Sequence, residues 1–239
     1  MRIRKSNERG YANHGWLDSY HSFSFANYYD PKWMGFSALR VINEDRIAPK
    51  KGFGTHAHQD MEIITYVLSG ELAHKDSLGN VEVLRAGEVQ RMTAGTGIEH
   101  SEFNASETVP VHLLQIWIEP DQLGLSPSYE DKVFTDAQKY NRWCLLVSDD
   151  TQEGALKVHQ NMALYATKIS ERNKLDYVLK HKRSAYLHVV EGKVEINNQQ
   201  LNAGDAALFE DHEEIQITAL EASELLLFDL PANQPNIGE

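Results

Sequence analysis

The chain of 239 residues is 41 % hydrophobic and 24 % charged, as in ordinary globular proteins, and no uncharged run approaches the ~20 residues of a membrane-spanning helix. Its formal net charge of −12 argues against direct binding of a nucleic acid. The N-terminus lacks the apolar segment of a secretory signal, and the single cysteine, Cys144, fits a reducing compartment, so we expect a cytoplasmic protein without a membrane partner.

Short strand-like stretches follow one another along the chain. They are rich in Val, Ile, Leu and aromatic residues and are separated by Gly, Asn and Asp. The stretches are 36–43, 62–70, 88–95, 111–120, 142–148, 184–192, 193–198, 205–210, 214–220 and 224–231. Their length and spacing predict an all-β sandwich or barrel.

One pattern occurs twice in the chain. VLSG at 67–70 is followed by LRAGEV at 84–89, and VVEG at 189–192 is followed by LNAGDA at 201–206. The glycines of these turns supply the positive φ that tight hairpins need. The pattern therefore favours a repeat of one barrel design, and the alternative is a coincidental pair of similar turns. The polar segment 121–141 is the predicted linker, and the predicted domains are 1–130 and 131–239.

Two short motifs in the first half carry candidate metal ligands. His56 and His58 are two residues apart, and so are His100 and Glu102, so in strands each pair shares one face. Three imidazoles and one carboxylate suit a first-row transition metal, and burying such groups without compensation would be costly. For the His-x-His pair alone, two hydrogen-bonded histidines at a strand start are the alternative.

Longer segments of the chain carry a family resemblance. GTHAHQDMEIITYVLSG and GTGIEHSEFN resemble the two cupin motifs, and the segments 9–45, 52–80 and 94–104 together resemble the pirin family. The second half, which ends in LLLFDLP, resembles the C-terminal cupin of bacterial pirin-like proteins. The resemblance implies two cupin (double-stranded β-helix, or jelly-roll) barrels in one chain. It places one metal in the N-terminal barrel, on His56, His58, His100 and Glu102, with Glu62 outside the ligand set.

The resemblance also implies an activity. Bacterial pirin-like proteins are quercetin 2,3-dioxygenases, so we expect cleavage of a flavonol by O₂ with release of carbon monoxide, and Glu102 as both metal ligand and proton acceptor. The expected ion is Fe(II), although Cu, Mn, Ni, Co or Zn would also accept these donors. The candidate substrate-pocket residues are Phe53, Met34, Phe36, Gln115 and Trp117.

Other functions stay open at this point. Eukaryotic pirin is a co-regulator of transcription, so the resemblance also allows a metal- or redox-dependent module that binds a protein partner without turnover. A different cupin activity is a third possibility. We expect a monomer, because two barrels in one chain can cover each other's faces.

The remaining histidines are expected to have structural roles. His14 and His21 are expected to pack over the first barrel, and His74 is expected to be exposed in a hairpin. No His-x-His pair occurs in the second half, so no second metal site is expected there. The histidines considered for such a site are His181, His188 and His212.

Overall fold

The computed structural model describes residues 1–151, 154–211 and 213–232, and most of its regular elements are β-strands. The strands of the first barrel are β2 (Gly10–Asn13), β3 (Leu17–His21), β4 (Leu39–Ile47), β5 (Gly52–His58), β6 (Glu62–Ser69), β7 (Glu71–Asp76), β8 (Val81–Arg85), β9 (Glu88–Thr93), β10 (Ile98–Asn104), β11 (Val111–Ile118) and β12 (Ser128–Val133). The strands of the second barrel are β1 (Arg2–Arg4), β13 (Cys144–Ser148), β14 (Leu156–Lys157), β15 (Ala163–Ile169), β16 (Lys174–Val178), β17 (Arg183–Glu191), β18 (Lys193–Ile196), β19 (Gln199–Asn202), β20 (Ala206–Glu210), β21 (Glu214–Ala219) and β22 (Ser223–Pro231). A 3₁₀ turn (Ser6–Glu8) follows β1, and a short helix, α1 (Asp136–Lys139), follows β12.

Each barrel combines a seven-stranded and a four-stranded sheet. The first barrel has the strand orders β12-β9-β6-β11-β4-β3-β2 and β5-β10-β7-β8. The second has β1-β20-β17-β22-β15-β13-β14 and β16-β21-β18-β19. The prediction of an all-β chain with two cupin barrels is therefore confirmed. Within the described residues, no helix has the length and apolar character needed to cross a membrane.

The strands with the strongest apolar patterns lie where the sequence places them. The predicted stretches 62–70 and 111–120 correspond to β6 and β11, two central strands of the seven-stranded sheet. The predicted linker 121–141 was wrong in part, because it contains β12 and α1. Strand β12 pairs antiparallel with β9, so its polar residues extend the first barrel instead of separating two domains.

The repeated glycine turns adopt the backbone geometry that the sequence predicts. Gly70 and Gly192 have φ values of +80° and +84°, and Gly87 and Gly204 have +85° and +82°. A Cβ atom at Gly70 or Gly192 would also lie 2.7 Å or 2.4 Å from a backbone carbonyl oxygen. Both the backbone region and the close approach therefore require glycine at these two positions.

The N-terminal strand joins the sheet of the second barrel. Arg2 pairs with Leu208 and Arg4 with Ala206, so β1 continues the edge of the sheet at β20 although it precedes the first barrel in the chain. The guanidinium of Arg4 also lies 4.4 Å from the ring centroid of Trp33, which belongs to the first half. The division into 1–130 and 131–239 stays a prediction.

The two barrels also share apolar and polar contacts. Phe23 and Phe36 pack against Tyr186 of β17, with ring centroids 5.6 and 6.3 Å apart. The Tyr66 hydroxyl donates to the Glu224 carboxylate across the same interface. The two barrels are therefore joined by both apolar and polar side-chain contacts.

Candidate metal centre

The candidate ligands lie on two neighbouring strands, β5 and β10. His100 pairs directly with His56, and Ile98 pairs with His58, so the two motifs are brought together by antiparallel register. The pairing shifts by one residue between His100 and Glu102, which pairs with Phe53. Such a bulge re-aims side chains at the end of a strand, and it lets Glu102 enter the barrel beside the histidines.

Three imidazoles converge at this position. The ring centroids are 4.8 Å apart for His56 and His58, 4.5 Å for His56 and His100, and 4.9 Å for His58 and His100. One ring nitrogen from each histidine lies within 4.8 Å of the others, which is compatible with one bound ion. The Nδ1 of His56 donates to the Gly54 carbonyl at 2.8 Å, which leaves Nε2 with a lone pair for a ligand bond.

Burial keeps two of these rings neutral. Burial first, and then the neighbouring His100 and His56 rings, lower the pKa of His58 to about 4. Burial together with His56 lowers the pKa of His100 to about 3. Metal ligands must be unprotonated, so both rings are in the form that binds a metal at neutral pH.

The Glu102 carboxylate is held by amides on both oxygens. Gln90 Nε2 donates to Oε1 at 2.9 Å, and Gln115 Nε2 donates to Oε2 at 2.8 Å. The Thr65 hydroxyl lies between the two amides, 3.2 Å from the Gln115 oxygen and 3.1 Å from the Gln90 nitrogen. These residues come from three adjacent strands, β9, β6 and β11, and fix the orientation of the carboxylate.

His74 lies in this centre, and the expectation that it is exposed was wrong. Its side chain is 1 % exposed on β7, directly opposite Glu102 on β10. Its Nε2 is 3.0 Å from Asp76, and its ring is stacked on Tyr129 with centroids 4.8 Å apart. His74, His100 and Glu102 form a second group of close potential ligand atoms that overlaps the first.

The residues present fit a divalent metal ion. His100 is buried, and neither of its ring nitrogens has a hydrogen-bond partner within the described chain. Leaving two buried polar atoms unpaired is costly, and a coordinated ion would satisfy one of them. The combination of neutral imidazoles and a carboxylate is typical of first-row transition metals.

A cavity of about 450 Å³ opens beside this centre. His56, His58 and Glu102 line it, as do the predicted pocket residues Phe53, Gln115 and Trp117. The predicted residues Met34 and Phe36 are not among its described lining residues. Phe36 is instead buried between the barrels against Tyr186.

Sequence reasoning missed a group of polar residues in the same cavity. Ser19 and His21 of β3 and Asn43 and Asp45 of β4 line its wall and are only 2–4 % exposed. Their signal in the sequence was weak, because Asn43 and Asp45 lie in a strand with several other polar residues and no spacing sets them apart. His14 and His21, which were expected to pack over the first barrel, both line this cavity.

Glu62 lies outside the candidate ligand set in the structure. Its carboxylate accepts hydrogen bonds from His159 Nδ1 at 2.8 Å and from the Thr93 hydroxyl at 2.9 Å. Glu62 is fully buried, and burial raises its pKa. It therefore joins the first barrel to the segment between β14 and β15 of the second.

The second barrel has no comparable group among the residues that the structure describes. His181 is exposed and lies 2.7 Å from Asp211, whereas His188 is fully buried on β17. His212 lies outside the described residues. The groups of potential ligands found within 1–151, 154–211 and 213–232 both belong to the first barrel.

Family models of known proteins match both halves of the chain. The family model Pirin matches residues 2–118, and the family model Quercetinase C-terminal cupin domain matches residues 145–230. The quercetin 2,3-dioxygenase of Escherichia coli (strain K12) is 52 % identical over 229 residues, which are 96 % of this chain and 98 % of the relative.

Solved structures agree over the whole length. The crystal structure of YhhW from Escherichia coli matches with a TM-score of 0.94 and 50 % identity, covering 98 % of this chain and 99 % of that chain. The crystal structure of the bacterial pirin YhhW in complex with nickel(II), from the same organism, matches with a TM-score of 0.92 and 51 % identity. It covers 97 % of this chain and 99 % of that chain.

Proposed function

The chain belongs to the pirin family, and from that membership we propose that the protein is a metal-dependent dioxygenase that cleaves a flavonol such as quercetin with O₂ and releases carbon monoxide. The observation that carries the proposal is that His56 and His58 of the imidazole cluster line a cavity whose wall also carries aromatic side chains. A cavity of about 450 Å³ lies within the range of small-molecule sites, roughly 300–1,000 Å³.

We assign the metal to His56, His58, His100 and Glu102, and we expect Fe(II) in the native protein. A divalent ion held there would supply positive charge that favours ionisation of a substrate hydroxyl, and open positions for ligands other than protein. The nickel(II) complex of the related bacterial pirin supports the choice of a divalent transition metal. The same donors accept several such ions, so metal content has to be measured.

The side chains around the ligands have separate roles in this proposal. Gln90 and Gln115 hold the Glu102 carboxylate in one orientation, and Glu102 takes up the proton of the substrate hydroxyl at a carboxylate oxygen. Phe53 and Trp117 provide apolar faces for a flat aromatic substrate and exclude water from the reacting group. The ring of His58 lies 5.0 Å from that of Trp117, so the aromatic wall and the ligand cluster are in contact.

Carbon monoxide release from quercetin in air tests the proposal. Protein loaded with Fe(II) should release carbon monoxide, and the Glu102→Ala and His58→Ala variants should lose at least 100-fold in rate, roughly the effect of removing one essential group. His181→Ala is the matched control, because His181 is exposed on the second barrel. Circular dichroism and metal analysis of every variant separate a lost ligand from a lost fold.

The result that refutes the proposal is equally direct. Wild-type protein that carries one equivalent of metal and releases no carbon monoxide from flavonols is not this dioxygenase. Equal rates for the wild type and Glu102→Ala would leave the activity in place and remove Glu102 from its assigned role.

A further inference from the structure

Four polar side chains form a compact cluster on the wall of the cavity. Ser19 of β3 pairs with Asp45 of β4, and His21 pairs with Asn43, so the four residues occupy two adjacent cross-strand positions. Residues two apart in a strand share a face, and all four line the cavity. The metal-ligand assignment uses none of them.

Hydrogen bonds within the cluster leave three polar atoms free. Ser19 donates to one Asp45 oxygen, and His21 Nδ1 lies 2.8 Å from the Asn43 oxygen, so that nitrogen carries the proton. Across the described chain, the second Asp45 oxygen, Asn43 Nδ2 and His21 Nε2 have no protein hydrogen-bond partner. They are also not enclosed by protein atoms, so they face the cavity.

Burial shifts both titratable groups of the cluster toward their neutral forms. Burial raises the pKa of Asp45 to about 7, with Glu102 and Glu44 adding to the effect and Ser19 opposing it. Burial lowers the pKa of His21, so its ring is neutral. With Asp45 protonated, the free atoms offer two donors and one acceptor, which a neutral group with one donor and two acceptors complements. A hydroxyl has this combination.

The cluster extends away from Gln115, which holds Glu102. Thr65, Gln115, Asn43 and His21 form a register-aligned row across β6, β11, β4 and β3. From Gln115, Asn43 lies one strand and His21 two strands further along the row, at about 5 Å and about 10 Å for strands 4.7–4.9 Å apart. A rigid ring system lying along the row would reach both ends.

We propose that Ser19, His21, Asn43 and Asp45 form a second polar subsite, which binds a hydroxyl group at the end of the substrate remote from the metal. The inference rests on the proposed dioxygenase function and deepens it. It defines the substrate class as rigid polyhydroxylated aromatic compounds with hydroxyl groups at opposite ends. Asp45 and Asn43 are specificity-determining residues in this view.

Ligand binding to the metal-loaded protein tests the subsite without turnover. The probes are 3-hydroxyflavone, galangin and kaempferol, which add hydroxyl groups first on the fused ring and then on the pendant ring. Dissociation constants are measured anaerobically, by calorimetry or by quenching of tryptophan fluorescence. In the wild type, either the hydroxyl groups added on the fused ring or the one added on the pendant ring should lower the dissociation constant about tenfold, the effect of a good hydrogen bond.

The variants are Asn43→Asp and Asn43→Leu, with Asp121→Asn as the control on the exposed surface. Asn43→Leu should abolish the tenfold gain and leave binding of 3-hydroxyflavone within twofold, and Asn43→Asp, which replaces the free Nδ2 donor by an acceptor, should reduce the gain. Asn43→Asp is nearly isosteric, so it remains informative if Asn43→Leu fails to fold.

Two outcomes overturn the inference in different ways. Equal affinity of the wild type for all three flavonols, or an equal loss for 3-hydroxyflavone and the hydroxylated probes in the variants, refutes the subsite and leaves the dioxygenase standing. Absence of binding of any flavonol to the metal-loaded wild type refutes the proposed function and the subsite together.

Discussion

Replacing Gln115 by leucine tests whether the amides around Glu102 matter for metal binding. Gln115→Leu keeps a side chain of similar size and removes the donor that lies 2.8 Å from Glu102 Oε2. It also removes the oxygen that accepts from Thr65 at 3.2 Å, while Thr65 and Gln90 remain near Oε1. One carboxylate oxygen thus loses the protein donor that orients it.

The expected magnitude follows from the charge on the acceptor. A hydrogen bond to a charged group contributes about 1.5–3 kcal/mol, and each 1.4 kcal/mol is a factor of ten in affinity. If most of this energy orients Glu102 for the metal, the dissociation constant rises about 10- to 100-fold. This range agrees with the usual cost, about 10–100-fold in affinity, of removing the partner of a metal ligand.

The assay is competition for nickel(II) between the protein and a chelating dye at neutral pH. Gln90→Leu, which removes the donor to Oε1, should show a similar loss, and Gln199→Leu on exposed β19 should bind as the wild type does. The reasoning is refuted if Gln115→Leu binds nickel within twofold of the wild type while Glu102→Ala does not bind. In that case the orientation of Glu102 would not depend on the amides.

Three further predictions concern stability. His188 is fully buried, and burial, followed by the charge of Arg9, lowers its pKa from the ordinary value of 6.5 to about 4. Between pH 6.5 and pH 4 the imidazole is therefore protonated in the unfolded chain and neutral in the native chain. Relative to His188→Leu, the wild type should therefore lose about 3 kcal/mol of unfolding free energy between pH 6.5 and pH 4 at about 1.4 kcal/mol per pH unit, as followed by urea titration. His159→Ala should cost about 1.5–3 kcal/mol at neutral pH in the same assay, because buried Glu62 loses a hydrogen bond to its carboxylate. Removal of metal with a chelator should lower the melting temperature of the wild type, because a free metal concentration of 100 times the dissociation constant adds about 2.7 kcal/mol to the free energy of unfolding. The melting temperature of Glu102→Ala should stay nearly unchanged.

Each of these predictions has an outcome that contradicts it. Parallel acid titrations of the wild type and His188→Leu would show that His188 does not limit stability at low pH. An unchanged urea midpoint in His159→Ala would mean that water replaces the lost partner of Glu62. Equal melting-temperature shifts in the wild type and Glu102→Ala would place the chelator's effect away from the proposed site.

Much of the fold and part of the site could be predicted from local patterns. Strands β6 and β11 begin where predicted and end one and two residues earlier, because an inner strand of a barrel needs apolar side chains along most of its length. The spacing of His56 with His58 was sufficient to predict that the two rings lie together. Each of these features depends only on residues within one strand.

The features that the sequence did not predict depend on register between strands. His74 lies opposite Glu102, and no local pattern indicates that β7 pairs with β10 at this offset. Phe36 was expected in the substrate pocket as part of an apolar slot for a flat aromatic substrate. It lies instead between the barrels against Tyr186, more than a hundred residues further along the chain.

The sequence by itself determined the strand alternation, the glycine turns and the shared faces of the candidate ligand pairs, because these follow from backbone geometry over a few residues. Only the tertiary structure decided that β1 joins the second barrel and that Ser19 meets Asp45 in the wall of the cavity. Such pairings bring together segments far apart in the chain. Their choice depends on how both sheets of a barrel bury their apolar faces at once, and no single strand carries that information.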